Sequence, residues 1–121
     1  MERSELIQSI RPEIPNISDS NTLPLESFQN HCLRPILKLQ NSLFLTFVRL
    51  HFEGMDFPSS EVERRKWFQY RFQRDLNLRN LLIGMTVALF TEEELHFYLL
   101  NKTEVSKRII QMLSERISNQ Y

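Results

Sequence analysis

Apolar residues return along this chain at intervals of three and four positions and never settle into a sustained two-residue alternation. With glycine present only at Gly54 and Gly84, that periodicity predicts an all-α fold of five to six helices and no sheet. The expected organisation is an N-terminal arm over residues 1–24 and one compact helical domain over 25–121. In the arm, SELIQSI places Leu6, Ile7 and Ile10 on one side of a possible short helix, which Pro12 would end. The following PEIPNISDSNTLP is expected to be extended or looped.

Pro35 favours a helix start or a kink close to it, and Gly54 is placed to end the helix that follows. Its apolar positions cover most of the circumference and leave Lys38, Ser42, Thr46, Arg49 and Glu53 as a polar stripe. Gln40, Asn41 and His51 fall among the apolar positions and are expected to be buried with hydrogen-bond partners. Ser60 and Glu63 fit a capping box for a third helix, which runs to about Arg74 with Phe68 and Phe72 on one face. Asp75 or Asn77 caps the next helix, whose stretch from Leu81 to Phe90 carries no charge. There Asn77, Asn80, Gly84 and Ala88 line up, a seam expected to admit the backbone of another helix. Thr91 and Glu94 form a second capping box for a short helix to about Leu100. Asn101 and Glu104 cap the last helix, with Val105, Ile109, Met112, Leu113 and Ile117 as its apolar stripe and Lys107, Gln111 and Ser114 facing water.

A length of 121 residues is that of one domain. Lys plus Arg and Asp plus Glu are 15 each, and that balance argues against general affinity for nucleic acid or an anionic membrane. The uncharged runs are shorter than the roughly 20 residues that cross a bilayer, and the N-terminus does not read as a secretory signal. Cys32 is the only cysteine, which leaves no disulfide framework and fits a reducing cytoplasm.

Candidate chemistry is sparse. Glu93 and His96 have the i, i+3 spacing used in carboxylate-bridged metal sites, but a second such motif is missing, so no metal is expected. Cys32 follows His31, and sequence neighbours do not face each other on a helix; the cysteine reads as a small buried residue. No glycine-rich phosphate loop, catalytic set or cofactor motif is present. Two polar groups remain. Arg64, Trp67, Arg71 and Arg74, with Tyr70 beside them, fall on one side of the third helix, in a stretch from Glu61 to Arg79 that holds six basic residues and three acidic ones. Such a patch anchors a protein interface or binds phosphate and stacks bases; a solvated helix face around a packed Trp is the plainer reading. Asn30, Arg34, Gln40, Asn41, Arg79 and Asn80 converge if the central helix and the uncharged helix pack together, as a register-fixing network or as a pocket for a small anion.

FQNHCLRPILKLQN at 28–41, RN at 79–80, GM at 84–85, FTEEE at 90–94 and the KR and SER near the end resemble a group of small Bacteroidetes proteins often labelled glyoxalase. The resemblance covers about residues 1–118 and brings no catalytic residues with it. Glyoxalase-type metalloenzymes use paired β-α-β-β-β modules with ligands on strands, and this sequence shows neither. The expectation is therefore a non-catalytic module for a protein partner or for self-association. The alternatives are a small-molecule binder or glyoxalase/lyase-type enzyme near Gln40, Arg79 and Asn80, and an RNA or phosphate binder at the Arg–Trp patch.

Overall fold

The C-terminal helix lies at the centre of the core because its apolar stripe is the longest in the chain. The computed structural model describes residues 2–14 and 24–121. These residues form seven helices and no strand, one helix more than the upper expectation. We label them α1 (Arg3–Ile10), α2 (residues 24–39), α3 (Asn41–His51), α4 (Glu61–Arg74), α5 (Leu76–Val87), α6 (Glu92–Leu100) and α7 (Lys102–Ser118). Val105, Ile109, Leu113 and Ile117 are buried as their spacing implies, and Met112 is half-buried. Ser114 is buried rather than facing water, since its hydroxyl donates to the Ile110 carbonyl at 2.7 Å and is satisfied inside the helix. Against α7 pack α4, α5 and α6, and α4 brings Phe68 and Phe72. Phe52, Trp67, Phe68 and Tyr121 form one aromatic cluster there, with ring centroids 5.0 Å apart for both Trp67–Phe68 and Phe68–Tyr121.

Pro35 does not start α2 but stands at the second residue of its regular α-helical stretch Arg34–Leu39. The helix begins at Pro24 and passes Gln29–Leu33 as a π-type turn, with the Arg34 N–H bonded to the Gln29 carbonyl. Proline has no N–H for the carbonyl four residues back, and its ring crowds that carbonyl, so the wider turn just before it relieves the clash. The carbonyl concerned is that of His31, and Arg11 reaches it at 3.5 Å. A break at Gln40 separates α2 from α3, so the long central helix of the sequence reading is two helices.

Of the expected caps, Asp75 accepts from the Leu78 N–H at 3.1 Å, and Thr91 with Glu94 completes the reciprocal capping box. Ser60 stands at an N-cap without a side-chain bond, and Asn101 donates back to the Phe97 carbonyl instead of capping α7. The arm's helix α1 forms as expected, but Leu6 and Ile10 are both exposed. Arg3 and Arg11 dock it instead. Arg3 donates to the carbonyls of Ala88 and Phe90, and Arg11 to that of Leu89, so three successive carbonyls after α5 receive guanidinium groups. The expected loop falls mainly on residues 15–23, outside the described residues.

The seam on α5 is corrected. Asn77, Asn80, Gly84 and Ala88 do line up, but they face solvent, and a Cβ built on Gly84 meets nothing within 4 Å. Leu78, Leu82, Ile83 and Thr86 form the buried side of α5, so the small residues mark its outside. Gly84 thus pays a helix-propensity cost that no close contact offsets. Gly84→Ala is expected to raise stability by about 0.5–1 kcal/mol in urea denaturation. A lowered midpoint would restore the tight crossing.

Candidate functional site

Three polar clusters come together in the fold. The first is the arginine patch on α4, and the structure divides it. Arg64 is taken up structurally: its Nε donates to the Ser118 carbonyl at 3.1 Å and a terminal nitrogen to the Ser59 carbonyl at 2.7 Å. It caps the end of α7, where helix carbonyls lack partners. Trp67 is half-buried against Phe52, Phe57 and Phe68. Arg71 lies 4.9 Å over the Trp67 ring and Arg74 5.2 Å over that of Tyr70, so arginines of the same helix occupy both rings. Tyr70 and Arg74 remain exposed, and Arg71 is half-buried.

The second cluster surrounds Glu94, whose side chain is 15% exposed. Its carboxylate receives both terminal nitrogens of Arg11, at 2.7 and 2.5 Å, and one oxygen also takes the Thr91 N–H at 2.8 Å. One residue therefore caps α6 and anchors the arm. Burial works to raise the Glu94 pKa, but the hydrogen bonds from Arg11 and Thr91 and the Arg11 charge outweigh it and hold it below 4.5. Cys32 lies beside this pair, beneath a depression of ≈ 380 Å³ edged by Phe28, His31, Glu93 and Phe97. Burial, with Glu94 second, pushes the Cys32 thiol far above its ordinary range, which keeps it protonated and a poor nucleophile.

The third cluster is a cleft of ≈ 630 Å³ between α2 and the end of α7. Arg34 and Lys38 project from α2, Asn41 begins α3, and Arg116 and Gln120 lie opposite. Leu37 and Met112 supply apolar surface, and Ile14 of the arm reaches the edge. Asn41 and Gln120 bond reciprocally through their amides, at 2.8 and 2.9 Å, and the Arg116 Nε donates to the same Asn41 oxygen at 3.2 Å. The Asn41 oxygen thus accepts from both, and its orientation is fixed. Burial lowers the Arg116 pKa, yet a guanidinium stays charged at neutral pH. Among the described residues no carboxylate forms an ion pair with Arg116, Arg34 or Lys38, although Glu115 lines the same cleft.

Of the six residues expected to converge, only Arg34 and Asn41 reach this cleft. Gln40 turns the other way, donating to the Met85 carbonyl at 3.4 Å, while Asn30 and Arg79 are half-buried elsewhere and Asn80 is exposed on α5. Gln40 thus reaches the uncharged helix, but Asn80 does not join it because it lies on the solvent side of α5. His51 is likewise exposed rather than buried, 3.6 Å from Asp75. Lys38, Arg116 and Gln120 went unrecognised. For Arg116 and Gln120 the signal is the four-residue spacing Arg108, Met112, Arg116, Gln120, a row beside the apolar stripe of α7. Among the described residues, no three His, Cys, Asp or Glu side chains gather as metal ligands would, and no helix is long and apolar enough to cross a membrane.

No protein-family model matches the chain, and neither a curated protein nor a solved structure matches it.

The two buried guanidinium sites are expected to differ in stability. Glu94→Gln keeps the capping side chain but strands Arg11, and it should cost about 1–3 kcal/mol at neutral pH. Because folding depresses the Glu94 pKa, its contribution is complete above the ordinary carboxyl value and is lost as pH falls from 4.5 through the folded value. Wild type should lose this increment in acid and Glu94→Gln should not; parallel pH–stability curves would contradict the assignment. Arg116→Met removes one hydrogen bond and one desolvated charge, so its stability should change by no more than about 1 kcal/mol. A loss above about 3 kcal/mol in urea denaturation would make Arg116 a structural residue.

Proposed function

We propose that this protein is a non-catalytic helical binding module whose α2–α7 cleft receives the anionic group of a ligand. The observation that carries the reading is Arg116. Its Nε is committed to Asn41, the side chain is partly withdrawn from water, and no described carboxylate neutralises it. A half-buried cation with no described counter-charge is a favourable place for an anion to bind. Arg34 and Lys38 add two exposed cations across the cleft, and the Asn41–Gln120 amide pair holds Arg116 in place. A planar guanidinium with free terminal nitrogens suits a carboxylate or phosphate, which it can grip with two parallel bonds.

The most nucleophilic side-chain type in the chain, the Cys32 thiol, is buried and protonated, which supports binding rather than covalent chemistry. At the α4 patch Trp67 is half-buried and one face of each ring carries Arg71 or Arg74, so the observations favour the cleft over that face.

The test is thermal denaturation in phosphate against chloride at matched ionic strength. A ligand that binds only the folded state stabilises it by mass action, about 1.4 kcal/mol at ten times its dissociation constant. Phosphate should raise the wild-type midpoint by a few degrees. Arg116→Gln should abolish the difference while keeping its own midpoint in chloride. Equal midpoints for wild type in the two salts at saturating phosphate would overturn the reading.

A further inference from the structure

The cleft does not end at Arg116. A smaller depression of ≈ 240 Å³ adjoins it and shares Gln29, Met112 and Glu115 with it, so the two form one groove. At its far end Arg108 donates to the Gln29 side-chain oxygen at 2.6 Å. Asn41 and Gln120 bridge the near end. The two bridges join positions 29 with 108 and 41 with 120, the same offset of 79 residues. The chain from α2 into α3 therefore runs alongside α7 in the same direction, tied to it at both ends with the groove between. Twelve residues of mostly helical chain separate the bridges, roughly 18 Å at about 1.5 Å per residue.

The lining chooses among occupants. No aromatic side chain borders either depression, so a nucleic acid or nucleotide finds no stacking platform there. Cations stand at the two ends, with Arg34, Lys38 and Arg116 at one and Arg108 at the other, while Glu115 lies between them. That order repels a ligand with continuous negative charge and fits one with separated charges. The side-chain amides of Gln29, Gln111 and Asn119 offer both donors and acceptors, as a peptide backbone requires. Met112 in the middle is an adaptable apolar contact. Arg108 and Arg116 are eight residues apart on α7, roughly 12 Å along its axis. In an extended peptide, side chains four positions apart share a side and stand about 13 Å apart.

We infer that the groove between α2 and α7 binds an extended peptide segment carrying two acidic side chains four positions apart, one carboxylate at Arg116, Arg34 and Lys38 and the other at Arg108. This rests on the anion reading of the cleft and adds the class of ligand, its length and its charge spacing.

The probes are short synthetic peptides, blocked at both ends and fluorescently labelled, with glutamates four positions apart, with either glutamate replaced by glutamine, or with the two placed next to each other. Binding to the full chain is read by fluorescence anisotropy, with an oligouridylate of similar length as competitor. The spaced peptide should bind about tenfold more tightly than either single-glutamate peptide and than the adjacent pair, the increment of one charge-assisted contact. Arg108→Gln should remove that advantage and leave the phosphate-dependent stabilisation intact. Equal affinities for spaced and single-glutamate peptides, with phosphate stabilisation retained, overturn the inference and leave the cleft reading standing. Tighter binding of the oligouridylate also overturns it. Loss of phosphate stabilisation in wild type removes the cleft reading itself. The comparison among peptides needs no variant, so poor folding of Arg108→Gln would not blunt it.

Discussion

A half-buried guanidinium with no carboxylate partner among the described residues is the constraint on which the α2–α7 cleft depends. Arg116 is held there by geometry: α7 is pinned through Val105, Ile109, Leu113 and Ile117, and its next row of side chains must lie at the edge of the core. The reciprocal Asn41–Gln120 amide pair closes that edge and leaves an oxygen for the Arg116 Nε. Once the amides are paired to each other, they cannot screen the terminal nitrogens of the arginine. The two amides and the Arg116 Nε are thereby satisfied by one another, while the guanidinium's terminal nitrogens face the cleft.

The other engaged arginines show what compensation looks like in this molecule. Arg3 and Arg11 meet three carbonyls at the end of α5, Arg64 meets the carbonyl of Ser118 at the end of α7, and Arg11 adds the Glu94 carboxylate. For Arg3, Arg11 and Arg64 the carbonyls belong to a helix C-terminus, whose partial negative charge favours the cation. Pro35 belongs to the same arrangement, since it frees the His31 carbonyl that Arg11 approaches. Arg116 stands near the end of α7, where the same field favours a cation, but its terminal nitrogens take none of those carbonyls.

The helical class, the α6 capping box and the buried rows of α4 and α7 were legible in the sequence because each rests on local periodicity or on side chains three residues apart. The arm's helix was legible too, but its apolar residues were a poor guide to docking, which ion pairs and carbonyls decide across more than 70 residues of sequence. Gly84 was misread because a row of small residues looks the same whether a helix or water lies over it. The π-type turn was hidden because Pro35 can relieve its clash in several ways. At the cleft, Arg34 and Asn41 belong to a polar set visible in the sequence, but their neighbours Arg116 and Gln120 belong to a helix whose dominant pattern is its apolar stripe. Only the pairing of α2 and α3 with α7 joins them, and no single-sequence pattern encodes that pairing.

The central claim concerns the terminal nitrogens of Arg116, so the most direct measurement observes them. Arginine-selective nitrogen NMR during a phosphate titration at constant ionic strength resolves each guanidinium. The Arg116 signals should shift saturably and their protons should exchange more slowly with water, with smaller changes at Arg34. Arg64, already bonded to the Ser59 and Ser118 carbonyls, should stay where it is. Weak, unsaturable shifts of similar size at all three arginines would contradict the account and make the cleft an ordinary solvated surface.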